Sequence, residues 1–527
     1  MNNHKTNRGE IQKQHQKRMI YLLILISSLL GGCHFPTATP LSPDLSPQQQ
    51  TEVSGILNPP GIATALPSET PLAPLPSVES TQVESTQEET LLDGHLRYRT
   101  QQGDTLPAIA LRFDVPVDSI QYAAPLSAEG LLPTGIQLQI PDILEEHLPF
   151  NTPYLPDSEI IYGPSVGDFN VLAFVEAAGG FLSTYQEEVK EKTLTGAEIV
   201  NKVSIETSTN PRLLLAFLEY QSGWVFGFPP DAANDPYPIG FGASLDTGLY
   251  KELMISAKVL AQGFYGWRDG SLLNLSFYGG RTARLAPELN AGSAAIMALF
   301  GSLYLPEAWE NHMFGDDSFL SFYREIFGDE LARAASVEPY LSHTIQQPEL
   351  MLPFAIGEAW SFTGGPHMAW QTGTPRGAVD FAPITGEPAC AVSAWWTTAA
   401  ASGLVLRSDW NVVALDLDGD GDEGTGWVLI YMHVAEKDKP AVGTWLEKDE
   451  KLGHPSCEGG SATGTHVHFA RKYNGEWFGV RDPLPMVLSG WRVFAGDRRY
   501  EGFMQKGDKI VTAVPYGSSD AKIIRDE

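Results

Sequence analysis

The chain of 527 residues has few cysteines and little positive charge, and each shortage excludes a class of protein. Three cysteines are too few for a disulfide-rich scaffold or for a zinc site built from four thiolates. The 64 acidic side chains outnumber the 35 basic ones and give a net charge of −29. This balance argues against a nucleic-acid partner and against electrostatic docking on anionic lipid, because both need a basic face. What remains is an acidic, mostly globular chain, long enough for about three or four domains.

The N-terminus combines basic residues with a short apolar run. Residues 19–32 are shorter than the roughly 20 apolar residues that span a bilayer. A basic start, a short apolar core and small residues at its end are typical of a secretory signal. The sequence Leu30-Gly31-Gly32-Cys33 resembles the bacterial lipobox, which implies a signal peptide over residues 1–32 and lipidation of Cys33. We therefore expect an extracytoplasmic protein of the cell envelope, anchored to a membrane by lipid. An uncleaved signal anchor is the alternative.

Residues 33–92 are rich in proline, serine, threonine, glutamate and glutamine, with few aromatic side chains. Such a stretch cannot bury enough apolar surface to offset its ordering entropy. We expect a disordered tether, extended by proline and by charge repulsion. With Cys33 assigned to lipid, Cys390 and Cys457 remain, and an even pair in an oxidising compartment predicts a disulfide. Two buried free cysteines are the alternative.

Residues 93–142 change from alternating to helical spacing and back. An alternating stretch is followed by Gly103-Asp104-Thr105, by apolar residues at helical spacing, and by a closing strand. Asp104 or Thr105 is placed to cap the first helix. The motifs GDTL, IA, F-x-V and L-P-x-G-x-x-L-x-I-P resemble LysM modules. The resemblance implies a small α+β fold of βααβ order that binds the N-acetylglucosamine sugars of peptidoglycan. Ala123 or Ala124 stands where that family often has asparagine, and a spacer without sugar affinity is the alternative.

Residues 150–350 are predicted to be mainly helical. One helix should start after Asn210-Pro211, and the other helices are expected near residues 168–178, 248–262, 291–301 and 317–335. The segment STNPRLLLAFLEYQSGW weakly resembles lysozyme-like lytic transglycosylases, whose helix ends in a catalytic glutamate before serine.

The matching position in this chain is Gln221, an amide that cannot protonate a glycosidic oxygen. Glu219 would lie on a different helix face. We therefore expect a helical scaffold or a degenerate glycan-binding domain rather than an active glycosidase.

The last third of the chain concentrates histidines in a β-rich, glycine-rich setting. His466 and His468 alternate along a predicted strand, so both should point into one site while Val467 and Phe469 face a core. A second alternating strand presents His433, and His367 and Asp380 lie upstream. In contrast, His454 stands in a Leu-Gly-His-Pro stretch and is expected to be a surface loop residue.

These residues resemble the M23 zinc metallopeptidases, the lysostaphin-like group, over roughly residues 351–490. The resemblance implies a mainly antiparallel β domain in which His367, Asp380 and His468 hold Zn²⁺. It also implies that His433 and His466 act on the metal-bound water as the catalytic histidines. Residues 491–527 are expected to be a β extension packed on this domain.

One departure from the M23 pattern concerns the first zinc ligand. The commoner form has histidine four residues before the aspartate, where this chain has Arg376. Arginine is always protonated and cannot bind zinc. Either the site is inactive, or His367 supplies the ligand from thirteen residues before Asp380, as in the staphylolysin and β-lytic branch.

An acidic segment lies just before the His433 strand. Asp416, Asp418 and Asp420 match the opening of a calcium loop. The twelfth position is Trp427 rather than the usual glutamate, so a solvated acidic turn is the alternative to a Ca²⁺ site.

Together these patterns predict a zinc endopeptidase that hydrolyses peptide cross-links of peptidoglycan. It would be anchored by lipid and docked on the glycan by the LysM module, with no nucleic-acid partner. The alternative is a catalytically inactive M23-like envelope protein that binds peptidoglycan and scaffolds or activates another wall hydrolase.

Overall fold

A computed structural model describes residues 91–526, apart from residues 124–125, 127–128, 243–246 and 482. The predicted signal peptide, Cys33 and nearly all of the tether therefore lie outside the described residues. Within the described part of the chain, no helix has the length and apolarity to cross a membrane. Cys390 and Cys457 are joined by a disulfide, as their pairing in an oxidising compartment predicts.

The first module is a two-stranded sheet with one helix. Strand β1 (His95–Arg99) pairs antiparallel with β2 (Gln137–Pro141). Helix α1 (Leu106–Phe113) lies between the two strands in the sequence. The Thr105 side chain accepts a hydrogen bond from the Ala108 amide at 3.3 Å and so caps α1. The second predicted helix is a single 3₁₀ turn, Val117–Ser119.

The middle region is mainly helical, with two small hairpins. Its helices are α2 (Val171–Ala178), α3 (Phe181–Thr184), α4 (Gly196–Thr207), α5 (Pro211–Ser222), α6 (Leu249–Asp269), α7 (Ala291–Leu303), α8 (Pro306–Phe314), α9 (Phe319–Phe327) and α10 (Glu330–Val337). Its strands are β3 (Gln186–Val189), β4 (Lys192–Thr195), β5 (Asn274–Ser276) and β6 (Thr282–Arg284).

Local caps explain several of the boundaries in this region. Asn210 accepts a hydrogen bond from the Arg212 amide and Pro211 takes the first helical position, so α5 begins where the sequence predicts. The helix expected over residues 317–335 is divided, because Gly328 has a positive φ and Asp329 caps a new helix.

The C-terminal region is built on one antiparallel sheet of nine strands. These strands are β7 (Ala359–Met368), β8 (Arg376–Pro383), β10 (Gly403–Asp409), β11 (Val412–Asp416), β12 (Trp427–Met432), β13 (Trp445–Leu446), β15 (Val467–Tyr473), β16 (Glu476–Trp477) and β21 (Lys522–Ile524). Their order in the sheet is β13-β10-β11-β12-β15-β8-β7-β21, with β16 paired to β15. Two smaller sheets contain β9 (Thr397–Thr398) with β14 (Lys451–Gly453), and β17 (Val487–Leu488), β18 (Trp491–Ala495), β19 (Gly502–Lys506) and β20 (Lys509–Thr512). The last described strand therefore joins the main sheet at its edge.

Strand alternation divides the side chains of the main sheet between two cores. Val379, Phe381, Val467 and Phe469 face a core made within the C-terminal region. On the opposite face, the aligned residues Ala378, Val412, Ala414, Val428, Ile430 and Ala470 share one continuous core with the helices of the middle region. The helical region is thus a layer packed against the sheet.

A buried charged network also links the three regions. The Arg268 guanidinium on α6 lies 2.7 Å from Glu476 and 3.0 Å from Asp157. It also donates a hydrogen bond to the carbonyl oxygen of Gln102 in the first module. Opposite charges of this kind are costly to separate once they are buried.

Candidate metal centre and active site

Three neighbouring strands position the predicted metal ligands. His468 on β15 stands directly opposite Asp380 on β8 in the antiparallel register. His367 belongs to β7, whose register with β8 shifts on both sides of this residue. Such irregularities re-aim a side chain, and here they bring His367 to the aspartate although it pairs with Ala378.

The three candidate ligand atoms are close together. His367 Nε2 and His468 Nδ1 lie 3.3 and 3.4 Å from Asp380 Oδ1, and the two nitrogens are 3.0 Å apart. A tetrahedral ion with bonds of about 2.0–2.1 Å holds its ligands roughly 3.3 Å apart. The spacing of the three atoms therefore fits a zinc ion.

The second nitrogen of each ligand histidine is already used. His367 Nδ1 lies 2.9 Å from the Gly365 carbonyl oxygen, and His468 Nε2 lies 3.1 Å from that of Ala369. A nitrogen beside a carbonyl oxygen carries the proton, so in the neutral rings His367 Nε2 and His468 Nδ1 are lone-pair acceptors. Both face the carboxylate of Asp380, whose Oδ1 is buried and makes no well-formed hydrogen bond within the described residues. With both rings neutral, three acceptors converge without a donor, which is the arrangement of a cation site.

Electrostatics agree with an ionised carboxylate at this point. Burial opposes both charges, but Asp380 raises the pKa of His367, and the imidazoles of His367, His468 and His466 hold the pKa of Asp380 well below its usual range. A bound cation would take the place of the His367 proton. Burial also lowers the pKa of His468, which keeps that ring in the neutral form that binds metals.

The two remaining predicted histidines stand beside this cluster. His466 Nε2 is 3.9 Å from Asp380 Oδ1, and the ring centroids of His433 and His466 are 4.4 Å apart. Their Nδ1 atoms lie 3.1 and 2.7 Å from the carbonyl oxygens of Glu458 and Gly464. Burial, followed by His466 and His468, lowers the pKa of His433 to about 4. His433 is therefore neutral near pH 7 and able to accept a proton.

Arg376 does not occupy the metal centre. Its guanidinium donates hydrogen bonds to the carbonyl oxygens of Gly496 and Asp497 at 2.8 and 2.9 Å. It therefore ties the start of β8 to the turn after β18, and the ligand position that it would have filled is taken by His367.

Tyr500 is a site residue that the sequence did not reveal. Its ring stacks on that of His367 with centroids 4.2 Å apart and planes inclined by 21°. Its backbone is held there because the Gly365 amide donates to the Tyr500 carbonyl oxygen at 3.0 Å. Burial and the nearby Asp380 raise the pKa of its hydroxyl, so the phenol remains a proton donor.

A cleft of about 1320 Å³ opens over these groups. Its walls include Trp370, Trp395 and the glycine-rich segment 460–465. Trp370 also packs against the core shared with the helices, and Ala369, whose carbonyl oxygen orients His468, is fully buried in that core. The helical layer therefore supports one side of the site.

His454 lies elsewhere and corrects an expectation. It was predicted to be a surface loop residue, but only 5% of it is exposed. Its ring lies against that of Trp396, with centroids 3.9 Å apart and planes inclined by 42°, and its Nδ1 lies 3.0 Å from the Trp395 carbonyl oxygen. The pairing of β14 with β9 carries the histidine inward, and short-range sequence does not show that pairing.

The acidic segment forms a turn, residues 416–426. Asp416, Asp418 and Asp420 each bring a carboxylate oxygen within 4.8 Å of the others. Backbone amides of Asp418 and Gly421 donate to the Asp416 carboxylate at 3.3 and 3.1 Å, so the turn itself binds this buried acid, while Asp418 and Asp420 are exposed. Calcium binding by this acidic turn stays a prediction.

The same turn contributes one buried acid to the sheet. Glu423 lies 2.7 Å from both Arg407 and Lys472, in two salt bridges. Burial opposes its ionisation, but the two cations lower the pKa of Glu423 to about 2.

Gln221, the residue of α5 that matches the catalytic glutamate of the transglycosylases, and the nearby Glu219 both form hydrogen bonds within the protein. Tyr304 donates to the side-chain oxygen of Gln221 at 2.7 Å. Glu219 accepts from the backbone amides of Val225 and Phe226 at 2.6 and 3.1 Å. The Glu219 carboxylate therefore binds the backbone that follows the C-terminal end of its own helix.

Comparison with known proteins finds sequences that are similar to this chain. Residues 153–339 match the family described as LasA, N-terminal domain. The chain is 24% identical over 384 residues to Protease LasA of Pseudomonas aeruginosa, an alignment covering 69% of this chain and 82% of the relative. The same protease from a second strain is 24% identical over 383 residues, with the same shares covered. This sequence similarity supports a relationship to LasA-like peptidases, and the lysozyme-like resemblance of the middle region is not confirmed.

Two solved structures are also similar in part. The M23 metalloprotease pseudoalterin is 22% identical, with 32% of this chain and 96% of that chain covered and a TM-score of 0.28. The catalytic domain of lysostaphin from Staphylococcus simulans is 21% identical, with 23% and 87% covered and a TM-score of 0.17.

Proposed function

We propose that this protein is a zinc-dependent endopeptidase that hydrolyses peptide cross-links of peptidoglycan. The observation that carries the proposal is the convergence of His367 Nε2, His468 Nδ1 and Asp380 Oδ1, which lie 3.0, 3.3 and 3.4 Å from one another. The similarity to a protease over most of the chain supports the same reaction class.

The residues His367, Asp380 and His468 would hold the metal. Bound there, zinc supplies a Lewis acid that lowers the pKa of a water molecule and polarises a scissile carbonyl. The carbonyl oxygens of Gly365 and Ala369 keep the two ligand rings in the required tautomer.

His433 and His466, the two histidines that are not ligands, would transfer the protons. His433 and His466 each donate through Nδ1 to a backbone carbonyl oxygen, which leaves Nε2 as the acceptor within the site. His466 is the nearer of the two to Asp380. We assign to this pair the removal of the water proton and its delivery to the leaving amine. The Tyr500 hydroxyl is a donor suited to the developing oxyanion.

Attachment to the wall is the second part of the proposal. A lipid on Cys33, the tether and the LysM-like module would hold the cleft near peptidoglycan in the cell envelope. In the structure, the loop before α1 lies against the helical layer, since Gln101 donates to the Glu288 carbonyl oxygen at 2.7 Å and Arg268 to that of Gln102. Any sugar would therefore meet the other loops of the module.

Mass analysis of fragments released from defined muropeptides tests the reaction. The purified protein should release new peptide ends, with intact sugar ends. His468→Ala should lose at least about 100-fold in rate, because a first ligand is worth more than the outer-shell partners that cost 10–100-fold. His343→Ala is the matched control, since that histidine is exposed and outside the cleft.

Two outcomes would count against this function. Equal rates for His468→Ala and the unaltered protein would mean that the site is not catalytic. Absence of any cleavage, with retained binding to peptidoglycan, would favour the scaffold alternative.

A further inference from the structure

The charge of the cleft differs from that of the chain as a whole. Acids outnumber bases by almost two to one in the sequence. Apart from histidines, the charged side chains among the described residues lining the cleft are Asp380, Arg499 and Lys522. Asp380 belongs to the metal centre, so the charges left to meet a substrate are both positive.

Neither cation is engaged in an ion pair within the described residues. This distinguishes Arg499 from its neighbour Arg498, which lies 2.8 Å from Glu501 in a salt bridge. Near Lys522 there is also an unused polar group. Ser361 is 5% exposed, lines the cleft, and its hydroxyl has no hydrogen-bond partner among the residues that the structure describes. A buried polar atom without a partner is costly, and a ligand oxygen would satisfy it.

Lys522 and Arg499 lie beside different parts of β7, although neither belongs to that strand. Lys522 on β21 stands opposite Ser361 in the antiparallel register. Arg499 precedes Tyr500, whose backbone binds Gly365 and whose ring covers His367. Ser361 and Gly365 are four residues apart, on the order of 13 Å at the rise of a strand. An extended peptide along β7 would therefore pass Lys522 at one end and Arg499 near the metal centre.

We propose that the cleft selects acidic peptides, with Arg499 binding a carboxylate next to the scissile bond and Lys522 with Ser361 binding a second carboxylate about four residues away. This inference rests on the proposed peptidase function and gives the chemical class of its substrate. Unpaired cations on the wall of a cleft attract an anionic ligand and hold it in register, less strongly as salt is added.

The test compares two peptides of the same sequence. One carries a free side-chain carboxylate next to the scissile bond and a second about four residues away, and in the other each carboxylate is a carboxamide. The zinc-loaded protein should show the higher kcat/KM on the acidic peptide. Arg499→Gln and Lys522→Gln should each lower that value about 2- to 5-fold, the range of exposed ion pairs, and leave the carboxamide value unchanged. Ser361→Ala should act like Lys522→Gln.

Arg498→Gln is the matched control, because this adjacent arginine already has an acidic partner and lies outside the cleft. Raising the salt to roughly 0.5 M should reduce the preference of the unaltered protein, since screening weakens exposed pairs. Binding of both labelled peptides to the His466→Ala variant, followed by fluorescence anisotropy, gives a readout independent of turnover.

The outcomes separate this inference from the function on which it rests. Equal binding and equal kcat/KM for the two peptides, or a preference that survives in the double variant Arg499→Gln/Lys522→Gln, would overturn the selection of acidic peptides alone. Preferential binding that depends on both cations, with neither peptide cleaved, would support the acidic site and contradict the peptidase.

Discussion

Replacing Gly364 with alanine should weaken zinc binding far more than it destabilises the zinc-free fold. Gly364 stands opposite Asp380 across β7 and β8. A Cβ built there would lie 2.1 Å from Asp380 Oδ2, 2.7 Å from its Cγ and 2.8 Å from its Cβ. The carboxylate can rotate away, but the Asp380 Cβ is fixed by its own backbone, so the two strands must also move apart by a few tenths of an ångström.

The size of the movement sets the expected effect. Ordinary contact with a Cβ begins at 3.4 Å, so the carboxylate oxygen must retreat by more than 1 Å from its place 2.1 Å away. Metal sites tolerate ligand displacements of about 0.2 Å. We expect zinc affinity to fall at least about 10- to 100-fold, as it does when a ligand loses its orienting partner.

Competition with a fluorescent zinc chelator measures this affinity, and thermal unfolding of the zinc-free protein reports the fold. Gly386→Ala is the matched control, because a Cβ at that exposed position meets no atom within 4 Å. Unchanged zinc affinity in Gly364→Ala would refute the assignment of Asp380 as a ligand. A large loss of stability in the zinc-free variant would show that the sheet, rather than the carboxylate, takes up most of the strain.

Three further predictions concern stability and calcium. The pKa of Glu423 is lowered to about 2 from its ordinary 4.5, so its ion pairs stabilise the fold fully above pH 4.5 and are lost as the pH falls through 2. These ion pairs contribute about 3 kcal/mol to the free energy of unfolding above pH 4.5. In acid unfolding experiments, Glu423→Gln should lack the loss of stability that follows protonation of Glu423. Reducing the Cys390–Cys457 disulfide, which spans 67 residues, should lower the unfolding free energy in urea by about 4 kcal/mol. Isothermal titration should show calcium uptake that disappears in Asp418→Asn.

Each of these has a contrary result. Parallel acid unfolding curves for Glu423→Gln and the unaltered protein would mean that the buried ion pairs add nothing to stability. A urea midpoint that is the same with and without reductant would contradict the disulfide's contribution. No heat of calcium binding would leave the acidic turn as a solvated turn.

Residue alternation accounts for the part of the site that the sequence predicts. The period of a strand places His466 and His468 on one side and Val467 and Phe469 on the other, and the structure has this arrangement. Because this rule is local, it holds without knowledge of the neighbouring strands. It cannot show that Ala470, two residues beyond His468, faces the helices rather than solvent.

Other features depend on contacts between distant segments. Tyr500 reaches His367 only because the turn after β18 is bound to β7, and its own sequence context carries no signal for that pairing. The role of Arg376 was equally hidden, since its partners are the carbonyl oxygens of Gly496 and Asp497. Helices α3, α4 and α8 were not predicted. Helix α3 is a single turn of four residues, and α8 is a short helix packed on the shared core. Helix α4 does carry a local signal, the capping box of Thr195 with Glu198.

Zinc stoichiometry tests the central claim most directly. The protein and its His367→Ala and His468→Ala variants would be dialysed against limiting zinc and analysed by atomic emission. We predict one zinc ion per chain in the unaltered protein and less than about a tenth of that in either variant, because each removes one of three protein ligands. Equal zinc content in all three proteins, or none in the unaltered protein, would contradict a metal centre at these residues.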